Sequence, residues 1–91
     1  MTTPDIRIRP PESVSANEII ARIAADFPPE RVSLLDGVKV EFPDGWALAR
    51  ASVTEPVITL RFEGRTREAV DRIMDDFLRS APELRKATRS Q

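Results

Sequence analysis

The sequence predicts an α+β domain: a single antiparallel β-sheet of four to five strands with two helices packed on one face. Three observations carry this. Apolar and polar residues alternate with period two over residues 5–9 and through much of 38–63. Two apolar stripes of helical period flank the second stretch, and Asp-Gly pairs at 36–37 and 44–45 mark turns inside it. Both stripes need an apolar face to cover, so a two-layer sandwich is the economical arrangement.

In chain order, residues 1–4 form a lead-in. In Asp5-Ile6-Arg7-Ile8-Arg9 the isoleucines face inward, and Pro10-Pro11 ends the ladder because proline has no N–H to donate. Ser15-Ala16-Asn17-Glu18 fits a capping box, and Ile19, Ile20, Ile23, Ala24 and Phe27 continue it as a helix over 16–26 that Pro28-Pro29 stops. Ser33-Leu34-Leu35 enters the Asp36-Gly37 turn, a signal for a primed hairpin, and forms a strand if long enough. Val38, Val40 and Phe42 alternate with Lys39 and Glu41. Pro43-Asp44-Gly45 turns the chain into a strand over 46–50, and the last strand spans 57–63 with Ile58, Leu60 and Phe62 on one face. Thr66 caps the second helix, whose stripe is Val70, Ile73, Met74, Phe77 and Leu78. Glu68 with Arg72, and Asp75 with Arg79, are acid-before-base pairs four apart on that helix. Pro82 bounds it, leaving residues 5–81 as the domain and 82–91 as a polar, flexible tail.

Ninety-one residues support one small core but no deep enclosed cavity. A net charge of −1 lacks the basic surplus that nucleic acid or an anionic membrane surface would require. No stretch is apolar enough to span a bilayer, and the first residues lack the apolar core of a signal peptide. The absence of cysteine removes disulfides, thiol nucleophiles and zinc–thiolate sites, in keeping with a cytoplasmic protein. Histidine is absent too, and with it the commonest general base and metal ligand. Carboxylates, Lys39, Lys86, arginines and hydroxyls remain, so no catalytic residue and no metal site is assigned.

The candidate site is Arg50-Ala51-Ser52-Val53-Thr54-Glu55-Pro56, a polar loop between two strands. Arg50, Ser52 and Thr54 occupy alternate positions, so a guanidinium, two hydroxyls and nearby backbone N–H groups can converge on one anion. The planar fork of an arginine matches phosphate or carboxylate bidentately. The competing reading is a plain connection, in which Arg50 pairs with an acidic neighbour while Ser52 and Thr54 bond local backbone. Trp46, the only tryptophan, reads as core or rim packing rather than as a ligand platform. Asp75-Asp76 reads as a solvated helix face, and Arg61, Arg65 and Arg67 as solvated arginines rather than a positive rim.

From Asp36-Gly37-Val38 through Pro43-Asp44-Gly45-Trp46 to Arg50-Ala51-Ser52-Val53-Thr54-Glu55-Pro56, the chain resembles the C-terminal (fourth) domain of the α-D-phosphohexomutases. It looks most like their bacterial phosphomannomutase/phosphoglucomutase branch. Thr3-Pro4-Asp5-Ile6 resembles the hinge into that domain, and Leu60-Arg61-Phe62-Glu63 its last strand. The resemblance implies a TBP-like two-layer sandwich. It implies an enzyme that interconverts hexose 6-phosphate and hexose 1-phosphate through a phosphoserine and Mg²⁺ held in earlier domains. A third-domain loop would read the sugar hydroxyls. This domain would close the cleft and bind the non-transferring phosphate of a glucose or mannose phosphate: Arg50 by pairing, Ser52 and Thr54 through hydroxyls, Val53 through its backbone N–H. Partners would be the phosphosugar and the remaining domains, and the isolated domain would be inactive. Many relatives carry Asn or Gly where Val53 stands; valine offers only its backbone and disfavours positive φ. The alternative is a free-standing interaction module of the same fold that no longer binds phosphosugar.

Overall fold

The computed structural model describes residues 1–35 and 37–89, and it is a five-stranded antiparallel sheet with its helices on one face. The strands are β1 (Ile6–Ile8), β2 (Val32–Ser33), β3 (Val38–Phe42), β4 (Gly45–Ala51) and β5 (Ile58–Gly64), in the spatial order β1-β5-β4-β3-β2. The helices are α1 (Ala16–Ala25), α2 (Arg67–Phe77) and α3 (Pro82–Arg89), with a short 3₁₀ turn at Pro29–Arg31.

Local chemistry sets the helix ends. The Ser15 hydroxyl accepts from the Glu18 N–H at 3.1 Å, and the Thr66 hydroxyl accepts from the Ala69 N–H at 3.1 Å. Each satisfies one of the donors that a first helical turn leaves without an intrahelical acceptor. Alternation then decides the faces: Val38, Val40, Ala47, Ala49, Ile58, Leu60 and Phe62 are fully buried. Above them, α1 contributes Ile19 and Ile23, and α2 contributes Val70, Ile73 and Phe77. Phe62 meets Phe77 edge-on at a centroid separation of 5.8 Å, a favoured aromatic geometry.

The third helix corrects the reading of 82–91 as a flexible tail. Residues 82–89 are helical, and Leu84 is fully buried in the core cluster with Ala81. Pro82 begins this helix instead of merely ending the previous one, because the first helical position needs no N–H donor. Arg22 of α1 clamps it, donating to the Ser80 carbonyl at 2.9 Å and to both Glu83 carboxylate oxygens at 3.0 and 3.2 Å. Ser90 and Gln91 lie outside the described residues. The lead-in also has structure: Thr3 N–H donates to the Phe62 carbonyl at 2.9 Å, and Thr2 bridges Glu63, extending the sheet beside β5.

Two further expectations change. The pairs expected within α2 give way to longer-range ones: Arg72 binds Asp44, Arg79 binds Asp26 and Asp75 binds Arg85. The register Ser33↔Lys39 makes the β2–β3 connection longer than a two-residue primed turn. Asp36 of that expected turn lies outside the described residues, whereas Gly37 adopts φ +97°.

Candidate functional site

Arg50 is the penultimate residue of β4, opposite the helices in the alternation that buries Ala47 and Ala49. Its neighbour across the ladder is Thr59 of β5, and the next residue in the same row is Arg7 of β1. Three adjacent strands therefore deliver Arg50, Thr59 and Arg7 side by side to the open face. At two strand spacings, the arginine backbones are roughly 10 Å apart.

Beyond Arg50 the chain leaves the ladder. Ser52 N–H donates to the Val57 carbonyl at 2.9 Å, closing a tip over residues 53–56. Val57 N–H donates to the Glu55 carbonyl at 2.8 Å, a tight turn around Pro56 whose ring presets φ. The Ser52 hydroxyl accepts from Glu55 N–H at 3.4 Å. A hydroxyl that accepts in this way keeps its own proton free to donate to a ligand. The backbone N–H groups of Val53 and Thr54 take no partner among the described residues.

Arg7, Arg50, Ala51, Ser52, Val53 and Thr59 line one shallow depression at this end of the sheet. Of the residues expected at the site, Arg50, Ser52 and Val53 come together there, while Thr54 is exposed on the tip and does not line it. Among the described residues Arg50 has no carboxylate partner, so the ion pair expected in a plain connection does not form with any of them. The other half of that reading holds for Ser52, which bonds local backbone, but not for Thr54, whose hydroxyl has no partner among the described residues. No non-glycine residue among those described has positive φ, so valine at position 53 fits the loop without backbone strain.

Nothing local in the sequence marks Arg7 as part of the site. Its alternation with Ile6 and Ile8 marks it as outward-facing, but only the β1–β5 register sets it beside Arg50. Its guanidinium lies 3.8 Å from the Glu55 carboxylate, and both side chains are exposed.

Trp46 sits on the same open face, farther along β4, and is half-buried there rather than in the core. Its indole N–H donates to Glu63 at 3.2 Å, and the Lys39 ammonium lies 5.0 Å from its ring centroid. These contacts hold the ring on the sheet, which is rim packing. Asp75 and Asp76 are exposed. Among the described residues no group of three or more metal-ligating side chains occurs, and no helix is long and apolar enough to cross a membrane.

Comparison with known proteins agrees with this architecture. Residues 6–80 match the family described as phosphoglucomutase/phosphomannomutase, C-terminal domain. A phosphoglucomutase of Neisseria meningitidis serogroup B is 41% identical over 80 residues, covering 85% of this chain and 17% of that protein. A phosphomannomutase/phosphoglucomutase of Pseudomonas aeruginosa is 42% identical over 79 residues, with the same 85% and 17% coverage. The crystal structure of a phosphoglucomutase/phosphomannomutase family protein from Burkholderia thailandensis superposes with a TM-score of 0.69 at 37% identity. That match covers 88% of this chain and 17% of the solved one. The chain thus spans about one sixth of the length of the relatives it matches.

Proposed function

The chain belongs to the phosphoglucomutase/phosphomannomutase family as its C-terminal domain, and from that premise we propose that it is the phosphate-binding closure domain of a phosphohexomutase. Its ligand is the non-transferring phosphate of a glucose or mannose phosphate. Arg50 pairs with that phosphate, the Ser52 hydroxyl donates to it, and the backbone N–H groups of Val53 and Thr54 complete the cradle. Thr54 adds its hydroxyl from the tip. The observation that carries this reading is an arginine with no carboxylate partner among the described residues, beside a loop whose Val53 and Thr54 N–H groups take none there either.

The chemistry of phosphoryl transfer, with its Mg²⁺ and phosphoserine, belongs to the other domains of the full-length enzyme. This domain contributes orientation and, on closing, exclusion of water. By itself it binds weakly, because one loop on an open face desolvates little of the ligand. A dissociation constant of about 1 mM is expected, near −4 kcal/mol.

Titrating the 91-residue chain with glucose 6-phosphate while following backbone amide resonances tests this. Amides 52–55 should shift first, and Arg50→Ala should weaken the response about tenfold, the worth of a charged hydrogen bond. Shifts scattered elsewhere, or an Arg50→Ala variant that binds as the wild type does, would overturn the assignment.

A second reading draws on one feature: Val53 is 101% exposed, an apolar side chain at the tip of a polar loop. In that reading the domain keeps its fold as an interaction module and has given up phosphosugar. The same titration separates the two, because such a module leaves amides 52–55 unmoved.

A further inference from the structure

Resting on that reading of the site, we propose that Arg7 is its second guanidinium and that Glu55 is a resident counter-ion which an incoming phosphoryl group must displace. Arg7 and Arg50 flank Thr59 in one row of the open face and line the same depression as Ser52. A dianionic phosphoryl group seated over Thr59 therefore meets a cation on either side, with the loop donors at its edge. Two forks on one phosphate hold it in a defined orientation, which a single arginine on an open surface does not.

Glu55 supplies the opposing element. Its carboxylate lies 3.8 Å from the Arg7 guanidinium, and it stands three residues beyond Ser52 in the loop itself. Two anions cannot share one exposed guanidinium without repelling each other, so the loop carboxylate and the ligand compete for Arg7. The asymmetry between the arginines follows: Arg50 has no carboxylate beside it among the described residues, whereas Arg7 has Glu55 3.8 Å away as a weak, exposed counter-ion. Glu55 thereby lowers the affinity of the open loop for small anions. Binding is reserved for a phosphate that brings further contacts, such as one carried on a sugar already held elsewhere.

Amide-detected titration of the chain with inorganic phosphate and with glucose 6-phosphate tests this in four variants. Arg7→Gln should weaken both ligands about two- to fivefold, the range expected for one exposed charge contact. Arg7→Lys should restore part of that loss, by charge without the fork. Glu55→Gln should tighten both ligands by a similar factor. In the Arg7→Gln/Glu55→Gln double variant the gain should shrink, since the competition has lost its object. If Arg50→Ala weakens binding while Arg7→Gln and Glu55→Gln leave it unchanged, this inference is wrong and the phosphate-binding reading stands. If amides 52–55 of the wild type do not respond to either ligand, both fall together. A Glu55→Gln gain of full size in the Arg7→Gln background would also overturn the proposal, because Glu55 would then act by general repulsion alone.

Discussion

At Gly37 the backbone adopts φ +97°, and a Cβ there would lie 2.3 Å from the Ala49 carbonyl oxygen and 2.9 Å from the Arg50 Cα. Both the conformation and the space demand glycine, and the backbone it presses against carries Arg50. Gly37→Ala should cost about 1–3 kcal/mol, read from the urea midpoint, and should perturb the Arg50 amide before others on β4. A neutral substitution would mean that the β2–β3 connection yields without involving β4. The same scale shows what residues announce by themselves. Ser15 and Thr66 cap their helices as the sequence indicates, because a cap is settled within three residues. Arg50 and Ser52 were legible for a similar reason, lying two apart at a strand end. Arg7 was not, because its place beside Arg50 depends on a pairing between strands far apart in the sequence.

Among the elements, α3 shows how a local signal can carry two meanings. Proline ends one helix and suits the first turn of the next, and the polar run after Pro82 hides a fully buried anchor, Leu84, with Ala87 partly buried beside the core. The pairs on α2 misled in a related way, since Arg72 and Arg79 reach Asp44 in the β3–β4 turn and Asp26 at the end of α1 instead of the acids one turn back. A helical (i, i+4) pair contributes only a few tenths of a kcal/mol, which is easily outbid when the fold presents another carboxylate. The docking of α3 should depend on pH through Glu83. The hydrogen bond from Arg22 holds the Glu83 carboxyl below its ordinary pKa, against a smaller opposing effect of burial. A depressed folded-state value stabilises the fold above the unfolded-state pKa, and that contribution fades as pH falls through the folded-state value. Protection of the α3 amides, relative to their intrinsic exchange rates, should therefore fall on acidification ahead of protection in β4 and β5. Glu83→Gln should show low α3 protection already at neutral pH and lose that acid-dependent step; an unchanged profile in the variant would assign the loosening to another group.

For the molecule as a whole, sheet order does what no single segment can. Placing β5 and β4 at the centre, with β1 beside β5, brings the β4–β5 loop and the β1 arginine to one end and one face. Fold class follows from the period of the apolar residues, but the composition of the site follows from which strands become neighbours. The outermost strands have a different consequence. One border of the sheet is the three-residue β1, continued beside β5 by the lead-in at Thr2 and Thr3 and interrupted by Pro4 and Pro10, and the other, β2, has only two residues. Neither ledge gives a stranger's backbone a long uninterrupted row to zip alongside, and exposed Leu34 and Leu35 stand beyond the ladder in the connection after β2. Crowded solutions of the separate domain should accordingly hold single molecules: one translational diffusion coefficient from micromolar to millimolar, with any slowing on concentration telling against it.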